Sequence, residues 1–600
     1  MTFAHRGLIA AAAVSALAGL VCVPVHATAA GAPDGDSPLA PKAVYTLTGQ
    51  PGSGLGADTA VAGCDVNGDG KPEVVGTSWW WSRGRHARIG AAYTVGWPTW
   101  KTATSPQPID DEDLGARRVE GSVDSPIGLF AFSTDCLGDT NGDGVDDMVF
   151  SDYAMHRAVV VYGDKKFESF SLDYMGTRGY FISGPQDVKV GTWARGAGDV
   201  NGDGLADIAV PVFNSERAEL HVIAGADDVA TVELGNSPRD LMTISGTPAL
   251  RPAQARGIGD VNGDGIDDLV VTSYAGTTAE AAAAGKKANG AAWVIYGSKT
   301  PTNVDITKPL GDRGFQISGP TDAAWRLGIS IAQGVDLNGD GLNDLVIGSQ
   351  PSSAPGGVVV VWGSKENPGD LSTTFAADAP VSVKDASGKS RGIFIAAPED
   401  ADGAAYSVAA MAPAKHKVGL IAIGAYGADG NAGRVYLVST AALPEKGRIA
   451  ISDLPKDQAY AIESDVKGLR AGRSVSLPGD VDGDGNPDLA WGGDFGKTGR
   501  LMLATLGPLP ATAEPEPEPK PDDPGTVKPE PTPDDPGTVK PEPKPNDPGT
   551  VKPTPKPHDH AKARPSHGTQ LARTGAGVTL LSGLALAAVA AGGMMRRTTR

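Results

Sequence analysis

One nine-residue pattern, Asp-x-Asn/Asp-Gly-Asp-Gly-x-x-Asp/Glu, is written six times in this chain, starting at Asp65, Asp139, Asp199, Asp260, Asp336 and Asp480. Oxygen-bearing side chains at positions 1, 3, 5 and 9, with a main-chain carbonyl at position 7, can wrap a hard cation, and glycine at position 6 lets the chain turn. The ligand sets read Asp65, Asn67, Asp69, Lys71, Glu73; Asp139, Asn141, Asp143, Val145, Asp147; and Asp199, Asn201, Asp203, Leu205, Asp207. The other three are Asp260, Asn262, Asp264, Ile266, Asp268; Asp336, Asn338, Asp340, Leu342, Asp344; and Asp480, Asp482, Asp484, Asn486, Asp488. The expectation is about six structural Ca2+ ions. Six metal-free turns are the alternative, since Asn, Asp and Gly build turns unaided. An ordinary turn, however, needs no fixed acids at positions 1, 5 and 9.

The flanks decide the kind of site. A helix-loop-helix calcium site needs an acid at position 12 and then a helix. Position 12 is here Gly76, Phe150, Val210, Val271, Ile347 and Trp491, and the runs leading to it, such as Leu269-Val270-Val271, read as buried strands. Each loop therefore joins two strands of a hairpin.

The starts are 74, 60, 61, 76 and then 144 residues apart, the last being two periods of 72. A seventh repeat with an eroded loop is thus expected near residue 413, where Ala414-Lys415-His416-Lys417 stands between two apolar runs. Two more strand motifs recur in the repeats, for example Phe315-Gln316-Ile317-Ser318-Gly319 and Val359-Val360-Val361-Trp362-Gly363. Four strands per repeat at a long, fixed period predict an all-β fold, a seven-bladed β-propeller of four-stranded blades over residues 40–508. The last repeat lacks an outer strand and the chain begins with a spare one near Val44–Thr48, so pairing the two would close the ring and remove an edge.

These residues resemble the FG-GAP repeat, which builds the propeller of integrin α subunits: Gly-x-x-x-Ala, then Gly-Asp-Val-Asn-Gly-Asp-Gly-x-x-Asp-Leu-Val-Val, then Gly-x-Val-x-Val-x-x-Gly. The resemblance implies calcium binding and a ligand face opposite the loops. It does not imply an activity. On that upper face stand Trp79, Trp80, Trp81, Arg83 and Arg85, followed in a later repeat by an Ala-rich insertion at 275–290. Three consecutive tryptophans cannot all point one way from a strand. At least one is expected to be exposed for a glycan or protein ligand; the alternative is a tryptophan cap packed between blades.

Residues 1–30 have the charged start, apolar run and Ala-rich end of a secretory signal. At the other end Leu571-Ala572-Arg573-Thr574-Gly575 resembles a sortase sorting signal, followed by an apolar stretch at 576–595 and basic residues to Arg600. This implies a C-terminal hydrophobic anchor helix that holds the membrane until sortase joins Thr574 to peptidoglycan or a pilin; plain membrane retention is the alternative. Residues 510–570 are Pro-rich, with Asp-Pro-Gly-Thr-Val-Lys at 523, 535 and 547, and read as a disordered wall-spanning stalk. At ~3.1 Å per residue its Pro-rich part reaches on the order of 100–150 Å. The expected location is the cell surface of a Gram-positive-type bacterium, anchored to the wall.

The net charge of −19 follows from the loops, and no basic stripe argues for nucleic acid. Apart from Cys22 in the signal, the cysteines are Cys64 and Cys136, each beside a loop in neighbouring repeats, where a disulfide is plausible in an exported protein. No His-Glu-x-x-His or Gly-x-Ser-x-Gly motif is present, so no catalytic residues are assigned. The expected role is an adhesion or ligand-binding module. An extracellular enzyme acting on carbohydrate or phospholipid and a passive coat protein stand as alternatives.

Overall fold

The computed structural model describes residues 37–509 except 57–59, 85, 87, 103–105, 126–127, 186–187, 215, 352–355, 377–378, 380–381, 413–417, 465 and 494–497. The export signal, the stalk, the sorting signal with its apolar stretch, Arg85 and the eroded loop at 414–417 lie outside the described residues. Among the described residues no helix is long and apolar enough to cross a membrane.

The fold is all-β, and one meander sets its pattern. In the fourth unit Gln254–Gly259, Asp268–Thr272, Ala291–Ile295 and Gly314–Ser318 pair antiparallel in chain order. The same four-strand meander recurs over 60–120, 130–183, 195–245, 327–396 and 404–463. In the last unit three strands, Ser474–Gly479, Asp488–Gly493 and Arg500–Thr505, are completed by the N-terminal Ala43–Thr48. That closing pair runs from Ala43↔Thr505 to Thr48↔Arg500, the pairing expected from the spare strand.

The strand sequences explain the packing. Leu345–Ser349 and Gly357–Val361 are buried along their whole length, because each meander has a neighbour on both faces, so alternation gives way to continuous apolar runs. The core is accordingly a series of sheet-on-sheet interfaces. Val222 and Ile244 of the third unit meet Leu269 and Trp293 of the fourth. Val294 and Phe315 of the fourth meet Ile347, Val359 and Phe394 of the fifth.

A feature absent from the sequence reading ties the outer edges. The outermost strand of a unit pairs in parallel with a short segment of the next, as in Leu47↔Gln107, Val119↔Phe170, Ile182↔Val232, Ile244↔Val304, Ile317↔Leu371 and Ile393↔Gly447. Unpaired edge strands recruit other chains, and these straps cover part of each edge.

Candidate cation loops and the aromatic face opposite them

Each nine-residue loop links the first two strands of its meander, and the loop at Asp260 shows how it is held. The Asp260 carboxylate accepts from the N–H groups of Gly263 (2.5 Å) and Gly265 (2.8 Å). Asn262 Oδ1 accepts from Asp264 N (2.8 Å), and Asp264 Oδ1 from Ile266 N (2.9 Å). Glycine at position 6 is needed for conformation: Gly265 has φ +86 with nothing near its missing Cβ. Position 9 is different in kind. Asp268 is buried, and its oxygens accept from Val261 N and Gly297 N, both at 2.9 Å.

The other loops repeat this scheme. The first aspartate accepts from the glycine N–H at position 6 in each: Asp65, Asp139, Asp199, Asp336 and Asp480. The position-9 acid accepts from the N–H at position 2 in each: Glu73, Asp147, Asp207, Asp344 and Asp488. Side chains converge on one point within the loop. Asn67 Nδ2 donates to Glu73 Oε1 at 2.5 Å, Asn201 Nδ2 bonds both Asp203 (2.9 Å) and Asp207 (3.3 Å), and carboxylate oxygens of Asp480, Asp482 and Asp488 lie within 4.8 Å of one another.

Crowding of acids has an electrostatic signature. Burial, and after it the neighbouring loop carboxylates, pushes Glu73, Asp207 and Asp488 up to about 8. The same causes bring Asp147, Asp268 and Asp344 up to about 7. A cation at the convergence point would reverse this, favouring the charged form of every acid around it. The donors are all oxygen on a short flexible turn, which fits a hard divalent ion.

The loops are not independent. The side chains at position 7, assigned from sequence only through their carbonyls, pack on the preceding loop. A Cβ at Gly68 would stand 3.1 Å from Val145, at Gly142 3.4 Å from Leu205, at Gly202 3.6 Å from Ile266 and at Gly263 3.1 Å from Leu342. Lys71 reaches Gly483 in the same way. Main-chain bonds follow the same path: Asp146, Ala206, Asp267 and Asn343 each donate N–H to the carbonyl of the preceding loop's first aspartate, at 2.9–3.2 Å. Neighbouring loops thus form a stitched series.

Cys64 and Cys136 are joined as a disulfide, with Cα atoms 5.5 Å apart, between the first two units. Cys136 Sγ lies 3.7 Å from Asp146 Oδ2, which also accepts from Asp65 N at 3.1 Å. The bond therefore sits where the first two loops meet.

At the far end of the strand that begins at Glu73, the three tryptophans follow the alternative of a cap packed between units. Trp79 and Trp81 are each 3% exposed and Trp80 is half-buried. Trp81 packs in the core of the first unit, donates Nε1 to Asp110 Oδ2 at 3.4 Å, and carries the Arg118 guanidinium 4.6 Å from its ring centre. Trp79 packs at a tilt on Trp80 and edge-to-face on Phe132, and joins Trp193 in an aromatic cluster. The physical reason is that Trp79-Trp80 leaves the strand in a turn, so the two rings fold together instead of alternating. Arg83 is exposed and ion-paired with Glu120 at 3.2 Å.

Sequence reading named Trp80 but missed the residues that join it in that cluster. Trp80, Tyr153 and Phe213 form its half-buried rim, and each carries a cation: Arg88 at 5.7 Å, Lys189 at 4.8 Å and Arg251 at 4.9 Å from the ring centres. They come from three successive units, so no local motif marks them.

Comparison with known proteins agrees with this architecture. Residues 257–295 and 327–362 match the FG-GAP repeat. Integrin alpha pat-2 of Caenorhabditis briggsae is 26% identical over 271 residues, 42% of this chain and 20% of the relative. Integrin alpha-PS5 of Drosophila melanogaster is 28% identical over 166 residues, 26% of this chain and 15% of the relative. The chain therefore spans a fifth or less of the length of these relatives. Together with the repeated meanders, the matches support an integrin-like FG-GAP β-propeller.

Proposed function

We propose that this chain is a cell-wall-anchored bacterial surface protein whose propeller serves as an adhesion or ligand-binding module. The seven meanders are its blades, closed into a ring by Ala43–Thr48, and six Ca2+ ions stiffen the loop side. The observation that carries the reading is the series of six oxygen-lined loops stitched to one another, which turns ion binding into inter-blade rigidity. The ligand face is the opposite one, where Trp80, Tyr153 and Phe213 hold Arg88, Lys189 and Arg251. Half-buried aromatic rings bearing cations suit glycan stacking or a protein hot spot. Export through residues 1–30, elevation on the stalk at 510–570 and anchoring at Thr574 complete the proposal; sortase, peptidoglycan or a pilin, and an extracellular glycan or protein are the partners.

The test is a binding screen of the propeller on glycan and matrix-protein arrays, with calcium and with chelator. Calcium-dependent binding that falls in Trp80→Ala and Arg88→Glu variants of unchanged melting temperature supports the reading. Trp79 and Trp81 are unsuitable probes because they are core residues. Binding unaffected by either variant moves the site elsewhere, and no binding at all favours a coat role.

A further inference from the structure

The innermost strand of each unit leads into its loop, so residues counted back from the first aspartate stand at matching levels. Four residues back are Asp135, Arg195, Arg256, Ala332 and Ser476. Asp135 and Arg256 belong to the second and fourth units, which are not sequence neighbours. Yet Arg256 Nη2 donates to Asp135 Oδ1 at 2.6 Å. A contact between non-adjacent units places both side chains in the axial space that the innermost strands enclose. Arg195, from the unit between, donates Nη1 to the carbonyl of Thr134, and Gly196 N–H donates to Asp135 Oδ2 at 3.1 Å.

The charges in this layer do not balance. Asp135, Arg195 and Arg256 are 1%, 3% and 5% exposed, and both oxygens of the single carboxylate are already taken. Two guanidiniums face one acid. Among the described residues Arg195 Nη2 has no hydrogen-bond partner, nor do the hydroxyls of Thr134, Thr192 and Ser476. Burial brings the Arg195 guanidinium down to about 10, the nearby Arg256 charge adding to the effect and Asp135 opposing it. Buried charge without a partner is strongly disfavoured, and so is a buried donor without an acceptor.

We propose that this axial layer binds a small monovalent anion of the halide class, accepting from Arg195 Nη2. One excess positive charge matches one negative charge. A dianion would overcompensate and meet the Asp135 carboxylate. A halide needs donors only, and Arg195 Nη2 is a buried charged donor still to be satisfied. The site is independent of the loops and of any ligand on the aromatic face.

The experiment uses the calcium-loaded chain, moved from chloride into gluconate at constant ionic strength and then titrated with bromide. The expected result is a saturable rise in melting temperature of roughly 2–4 °C, and an anomalous bromide peak within hydrogen-bond distance of Arg195 Nη2 in crystals. Arg195→Met should abolish the bromide dependence. Should that variant not fold, the anomalous map of the unaltered protein still decides. Water at the layer with no anomalous signal, or a melting temperature indifferent to bromide, overturns the proposal.

Discussion

At position 9 of each loop one buried carboxylate is pulled two ways. Main-chain N–H groups and a coordinated cation favour its charged form; burial and the loop's other acids favour its neutral form. Without the cation the second pull wins, and the group sits at about 7 to 8, far above an ordinary carboxyl. The sign of the resulting pH dependence follows. A pKa raised in the folded state gives stability that is complete below the unfolded value and is lost as pH rises through the folded one. In chelator, the melting temperature should therefore fall between about pH 4 and pH 8, each isolated loop losing at most about 1.4 kcal/mol for every step of one in pH. The increment restored by calcium should grow over the same range, because at low pH the ion must displace protons. Calorimetry at several pH values, with and without calcium, reads both trends. A calcium-free melting temperature that rises with pH would contradict the electrostatics of these loops.

Between elements the decisive residues are small. Gly297 follows the third strand of the fourth unit, where a Cβ would stand 2.3 Å from the Asp267 carbonyl and 3.0 Å from that of Val200 in the preceding loop. Gly297→Ala should destabilise by about 1–3 kcal/mol and weaken calcium binding, since Gly297 N–H also holds Asp268. Denaturant melts and a calcium titration measure the two effects. Replacing Cys64 and Cys136 together by serine removes a cross-link spanning 72 residues and should cost about 2–4 kcal/mol, read as a lower melting temperature in calcium.

What sequence could show divides along this same line. The loops and strands were legible because Asp/Gly turns and apolar runs are local patterns. The stitching of one loop to the next was not, because it depends on units 60 or more residues apart. Gly163, Gly225, Gly297 and Gly363 after the third strands were visible as a motif, whereas their reason, the neighbouring loop's carbonyls, was not. Sequence left the tryptophans between an exposed patch and a packed cap for a related reason: the Phe132 and Trp193 that cover Trp79 come from other units.

For the molecule as a whole, the N-terminal strand has the largest leverage. Ala43–Thr48 lies beside Arg500–Thr505 over six residue pairs, and Leu47 is wholly buried among Leu501, Leu503 and their neighbours. Removing it strips one side of a strand whose Leu501, Met502 and Leu503 are fully buried. An exposed, apolar edge strand is a template for another chain. A chain lacking residues 37–48 should therefore melt at lower temperature and self-associate, visible by size-exclusion chromatography with light scattering. A synthetic peptide of residues 41–50 added to it should restore the monomer, because it supplies the missing hydrogen-bond ladder. The alternative is that the units stand as an open arc held by the loop stitching and outer straps, with the N-terminal strand a mere appendage. A truncated chain that stays monomeric at unchanged melting temperature would favour that arc and would remove the closed ring from the proposal.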